Sequence, residues 1–256
     1  MCLIGVAWRT HPKFDLVLAA NRDEFHSRPS AGAAAWKDHP HIFGGRDLKQ
    51  QGSWLAVSNN GRLAAVTNVR RMATPDPRAP SRGKLVAEFL QSNDSAADYA
   101  ARLKDEADSY AGFNLLLYDG NDLRYVDNHP EFEDAPVAPG VHVLSNAQLD
   151  TPWPKALRLK TALEGWTHDK WESPAPLLKA LADRVPAADA ELPNTGVGPA
   201  LERMLSPPFI VSPNYGTRCS TVAMFGTGVI EFIEKRFDAD GRLAGETSKT
   251  LPFTSE

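Results

Sequence analysis

Residues 2–20 read Cys2-Leu3-Ile4-Gly5-Val6-Ala7-Trp8, Arg9-Thr10-His11-Pro12-Lys13-Phe14 and Asp15-Leu16-Val17-Leu18-Ala19-Ala20. Two short apolar runs, Cys2–Trp8 and Asp15–Ala20, flank a polar break that contains proline, which is the pattern of a β-hairpin. The same pattern returns at Trp54–Val57 and Leu63–Val69, joined through Asn59-Asn60-Gly61. Asn-Gly between apolar runs is a strong hairpin signal, because the tight turn needs positive φ. The chain therefore opens as paired antiparallel strands.

Downstream the period changes from two to about 3.6. Leu85, Val86, Phe89 and Leu90 follow Ser81 at helical spacing, and Ala96, Tyr99, Ala100 and Leu103 follow Asn93-Asp94. Strands are expected again at Phe113–Tyr118, Leu123–Asp127 and Val141–Asn146. Thr151-Pro152 reads as an N-cap with proline in the first turn. Helical stretches follow at Lys155–Leu163, Pro176–Arg184 and Pro199–Leu205. The end is β again, at Phe209–Val211, Arg218–Phe225, Val229–Phe237 and Leu243–Leu251. Strands in hairpins with helices grouped between them predict an α+β fold of antiparallel sheets covered by helices, not a doubly wound parallel sheet.

The 256 residues suffice for one substantial core, and the chain is read as a single domain, 1–256. Net charge is −4, with no long block of one sign. The densest basic group, Arg70-Arg71 with Arg78 and Arg82, lies among prolines and reads as a solvated loop, so no nucleic-acid partner is expected. Ala73–Pro80 is read as a semi-rigid loop or lid. No apolar run approaches the ~20 residues of a membrane-spanning helix, and neither a signal peptide nor a myristoylation pattern is present. Two cysteines, Cys2 and Cys219, point to free thiols in a reducing compartment, hence the cytoplasm.

Phosphate-loop signatures are missing: Gly196-Val197-Gly198 lacks the third glycine and Gly83-Lys84 lacks the upstream one. His39-Pro40-His41 places two imidazoles together without a third ligand at a recognisable spacing, so no metal site is expected. Neither cysteine stands in a string that attaches haem covalently.

Several strings occur together in order. They are Met1-Cys2-Leu3-Ile4, Asn21-Arg22-Asp23-Glu24, Gly44-Gly45-Arg46-Asp47, Gly52-Ser53-Trp54-Leu55, Thr67-Asn68-Val69-Arg70, Ser81-Arg82-Gly83 and Tyr110-Ala111-Gly112-Phe113-Asn114. Leu144-Ser145-Asn146-Ala147 through Asp150-Thr151-Pro152-Trp153-Pro154-Lys155 follows, and then Tyr215-Gly216-Thr217-Arg218-Cys219-Ser220. Taken together they resemble the NRDE, or transport-and-Golgi-organization, family. Only Ser53 departs, where threonine is expected.

That resemblance implies an N-terminal-nucleophile hydrolase-like fold, a four-layer αββα sandwich. More distantly the layout is similar to cysteine acylases of that superfamily, which use an N-terminal Cys, an early Arg and Asp, a central Asn and a late Arg. The positions that match are Cys2, Arg22, Asp23, Asn146 and Arg218. Arg22 and Asp23 are adjacent here but spaced apart in the acylases, so the roles of Arg22, Asp23 and Glu24 are open.

Once Met1 is trimmed, Cys2 carries both a thiol and a free amine, with pKa values of about 8.5 and about 8, so a proton passes between them at little cost. Arg22 is expected to favour the thiolate. Asp23 either orients the amine or makes a structural salt bridge with Arg22 or Arg46. Asn146 either donates to an oxyanion or shapes a turn, and Asn68 has the same two readings. Arg218, at the start of an apolar strand, shares a face with Ser220 and Val222 by alternation; it either pairs with Asp23 or Glu24 or makes a surface ion pair. Cys219 reads as a small core residue. Asn68 and Trp153 are the candidate substrate-binding residues.

Two functions remain open. One is a hydrolase or acyltransferase in which Cys2 attacks an amide, ester or thioester, with no cofactor. The other is a carrier of haem or a lipid-like acyl ligand on the same scaffold, a role linked to eukaryotic members of the family. A haem carrier would draw its axial ligand from His39, His41 or Cys2.

Overall fold

The computed structural model describes residues 2–70, 76 and 78–253. It is an α+β protein with two antiparallel sheets. The residues group into two compact units, one of them formed by 1–27, 70–72 and 139–250, the other by 28–69, 73–138 and 251–256. Met1, Arg71 and half of the 73–80 segment read as a lid (73–75 and 77) lie outside the described residues.

The first unit is built on β1 (Cys2–Trp8), β2 (Leu16–Phe25), β10 (Gly140–Leu144), β11 (Tyr215–Gly226), β12 (Val229–Phe237) and β13 (Leu243–Pro252). Their order is β10-β1-β2-β11-β12-β13. The opening hairpin forms as its sequence predicts, with Trp8 opposite Leu16 and Cys2 opposite Arg22. Strand β2 runs five residues beyond the expected end, because Asn21 and Arg22 are buried between β1 and β11 and Asp23 is buried against β11. Phe209–Val211 makes only an isolated bridge, Val211 to Gly216.

Helix α3 (Pro154–His168) packs against β1 and β10, and α4 (Ala175–Leu181) against β2 and β11; α5 (Pro199–Met204) follows. The expected cap at Thr151-Pro152 is displaced by two residues: Trp153 is the N-cap and Pro154 occupies the first turn. Leu3, Ala7, Val222 and Met224 from the sheet join Ala156, Leu159, Leu163 and Trp166 in one core. Gly5 allows the helix to approach closely, since a Cβ there would stand 2.4 Å from Leu163 Cδ1.

The second unit is a seven-stranded sheet in chain order. Its strands are β3 (Ser30–Ala35), β4 (Ile42–Asp47), β5 (Leu55–Ser58), β6 (Leu63–Asn68), β7 (Phe113–Tyr118), β8 (Leu123–Asn128) and β9 (Phe132–Pro136). The β5–β6 turn carries Gly61 at φ +78, as the Asn-Gly pattern requires. Helices α1 (Gly83–Gln91) and α2 (Ala96–Leu103) bury Leu85, Phe89, Tyr99 and Leu103 against Val66, Leu115, Leu117 and Val126. Ser81 does not cap α1, whose N-cap is Arg82; Ser95 caps α2 through the Asp98 amide. Among the described residues no helix is long and apolar enough to cross a membrane.

Candidate active site around Cys2

Cys2 opens β1 and is half-buried. The antiparallel ladder sets it opposite Arg22, and on the other side of β2 the same Arg22 stands opposite Cys219. Arg22 is 5% exposed, with Nη2 4.0 Å from Glu24 Oε2. Asp23 is 1% exposed; its Oδ1 accepts from Thr217 Oγ1 at 2.7 Å, and its carbonyl accepts from the Tyr215 hydroxyl at 2.9 Å. Neighbouring strands thus deliver the cysteine, a cation and a carboxylate to one end of the sheet.

Asn146 arrives from the other edge. Strand β10 pairs with β1 with Leu144 opposite Ile4, and two further steps along each chain bring Asn146 level with Cys2. Ser145 Oγ donates to the Cys2 carbonyl at 3.0 Å and fixes that register. Asn146 is 1% exposed, and its carbonyl accepts from the Arg70 amide at 2.8 Å.

Burial raises the Cys2 thiol above its ordinary value, and the Asp23 charge adds to the rise, while Arg22 opposes both. Arg22 does favour the thiolate, but taking a small anion out of water costs more than this cation returns. Burial likewise raises Asp23, against the pull of Lys155, Thr217 and Arg70. Cys219, buried and pushed up by burial, is the core residue its strand suggested.

Three charged residues at this end escaped the sequence reading. Arg70 is buried, and its Nη1 meets Glu202 Oε2 at 2.6 Å, which corrects its assignment to a solvated loop. Glu202 also accepts from Thr195 N at 2.8 Å and Oγ1 at 2.6 Å. Lys155 is 2% exposed, and among the described residues nothing hydrogen-bonds its Nζ. Burial holds its ammonium down to about 8, although Asp23, Cys2 and Glu202 favour the charge. One signal was available: Lys155, Leu159 and Leu163 fall on one helical stripe, so the lysine occupies an apolar position.

Arg218 sits at a β-bulge, where the register passes from Thr217–Asp23 to Cys219–Arg22. The extra residue breaks the alternation that put it on the face of Ser220 and Val222. Its Nη1 donates to the carbonyls of Phe25 (3.0 Å) and His26 (3.3 Å). The Trp153 ring lies 4.5 Å from the Arg70 guanidinium, so it packs on a buried cation. Asn68 ends β6 opposite Phe113 in the second unit, whereas Cys2, Arg22, Asp23, Asn146 and Arg218 all belong to the first. The His39 and His41 rings are 6.0 Å apart and edge-on, and no group of three metal-ligating side chains occurs among the described residues.

The chain matches the family described as Transport and Golgi organisation 2 over residues 1–239. The Homo sapiens Transport and Golgi organization protein 2 homolog is 34% identical over 99% of this chain and 99% of its own length. The Bos taurus homolog is also 34% identical, over 92% of each chain. Among solved structures, an N-acylethanolamine-hydrolyzing acid amidase ortholog from Caenorhabditis elegans aligns with a TM-score of 0.45 at 10% identity, over 86% of this chain and 92% of that one. With a family match along nearly its full length and a relative collinear with it end to end, the chain belongs to the Transport and Golgi organisation 2 family.

Proposed function

We propose that this chain is an N-terminal-nucleophile hydrolase or acyltransferase that uses Cys2 on an amide, ester or thioester. The observation that carries the reading is the placement of Cys2 at the start of a strand, opposite buried Arg22 and beside the buried Asp23 carboxyl. Removal of Met1 turns the Cys2 nitrogen into a free amine. Because the thiol is raised, the resting form is S–H, and the amine serves as the base that takes its proton. The sulfur then bonds to the carbonyl carbon, the leaving group departs with a proton from the amine, and an acyl-thioester remains. Water or another acceptor releases the acyl group and restores the thiol.

Asp23 holds the amine in place, Arg22 supports negative charge on sulfur, and Asn146 donates to the oxyanion. Both cysteines are free thiols, which suits a reducing compartment, and a cytoplasmic location is part of the same proposal. The test combines intact mass, an electrophilic acyl probe and Cys2→Ala. The expected result is a protein one methionine lighter, labelled once at Cys2, with labelling and turnover abolished in the variant. Normal turnover in Cys2→Ala would remove the nucleophile from the mechanism and turn the balance to a carrier of haem or an acyl ligand.

A further inference from the structure

Helix α3 runs alongside β1 in the same direction. Its middle meets the middle of the strand, where Leu159 and Leu163 close on Gly5. Its C-terminal part meets the far end of the β1–β2 hairpin, where Trp166 lies 4.7 Å from His11 and 6.0 Å from Phe14. One turn before Leu159, about 6 Å along the axis, Lys155 therefore lies toward the Cys2 end of the sheet. Its charge is felt together with those of Asp23, Cys2, Arg70 and Glu202.

Two positive features coincide there. The first turn of α3 has no side-chain cap, since its N-cap residue is Trp153. The positive end of the helix dipole thus faces the same region as the lysine, and it favours an anion. The Lys155 ammonium is 2% exposed and has no hydrogen-bond acceptor among the described residues. A buried ammonium ordinarily finds a partner in the resting protein, because leaving its donors unused is costly. A donor kept idle at rest is what a catalyst needs where the acceptor forms only as negative charge develops.

Resting on the assignment of Cys2 as nucleophile, we propose that Lys155 is a further catalytic residue, a second donor beside Asn146 to the carbonyl oxygen when the thiolate adds to an acyl substrate. As the S–C bond forms, the carbonyl π pair moves onto oxygen, and that oxyanion accepts a hydrogen bond from the Lys155 ammonium. When the pair returns, the bond to the leaving group breaks and the lysine keeps its proton. The nearby Arg70 is instead ion-paired, its Nη1 donating to Glu202 Oε2 at 2.6 Å. Lys155 in this role suits substrates whose reacting group is a carbonyl.

The test compares two reactions of the same sulfur in Lys155→Met and wild type. Acylation by p-nitrophenyl acetate passes through an oxyanion, whereas alkylation by iodoacetamide displaces iodide without one. Both rates are read as mass gain on the Cys2 peptide. Acylation is expected to fall about 10²–10³-fold, as for other oxyanion donors, with alkylation within about threefold of wild type. Lys155→Gln, which keeps a neutral N–H donor, is expected to lose less, about tenfold. Equal acylation in wild type and both variants overturns the proposal. A parallel fall in both reactions also overturns it, since Lys155 would then act on the thiol. If wild type is alkylated but never acylated, Cys2 is not an acyl acceptor, and the assignment of Lys155 fails together with that reading.

Discussion

Lys155 should lower the stability of the folded protein at neutral pH, by an amount that its burial allows to be worked out. Its folded pKa is about 8, below the ordinary 10.5, so the unfolded chain holds more protons between those values. Stability then rises with pH across this window, and the full cost is present below about pH 8. At ~1.4 kcal/mol per pH unit the cost is about 3 kcal/mol. No discount for solvent screening applies to a side chain only 2% exposed. Lys155→Met keeps the length of the aliphatic stem and removes the charge. The stability of the variant relative to wild type, from urea melts at pH 7, 8, 9 and 10, should be most favourable at pH 7. That margin should shrink by about 3 kcal/mol toward pH 10.5. Comparing the two proteins at each pH cancels the titration of groups they share. A margin constant within about 0.5 kcal/mol would mean that the ammonium is solvated or bonded in the folded state. That result would refute the idle-donor argument along with the stability argument.

Two further outcomes follow from the same charges. Glu202→Ala should destabilise the fold by about 3–5 kcal/mol in denaturant melts, because it strands a buried guanidinium and two Thr195 donors; a loss under about 1 kcal/mol would mean that water reaches Arg70. Arg218→Ala should cost only about 1.5 kcal/mol, the worth of charge-assisted bonds to the Phe25 and His26 carbonyls; a loss near that of Glu202→Ala would show that Arg218 neutralises a buried carboxylate.

Some elements were legible because local chemistry settles them. Strand β7 begins and ends where its apolar run does, at Phe113 and Tyr118, and β12 spans Val229–Phe237 as read. Other strands carried no local signal. Ser30–Ala35 is Ser-Ala-Gly-Ala-Ala-Ala, with none of the branched or aromatic residues that mark strands, yet it forms β3 because the edge of β4 offers it partners. Ile42–Asp47 contains two glycines; a Cβ at Gly44 would stand 2.7 Å from the Leu55 carbonyl, so only the neighbouring strand explains that residue. The bulge at Arg218 is equally silent, since alternation alone cannot count an extra residue in one strand.

The sequence by itself determined the hairpin-rich α+β class, the opening hairpin and the family. Each depends on residues near one another in the chain or on strings whose order is conspicuous. Only tertiary structure decided the charge balance around Cys2. Glu202 lies 132 residues from Arg70, Thr217 lies 194 from Asp23, and Lys155 comes to that end of the sheet on a separate helix. Ionisation there is set by burial, and burial belongs to the packed chain: the same Cys2 and Lys155 would titrate normally in an unfolded one.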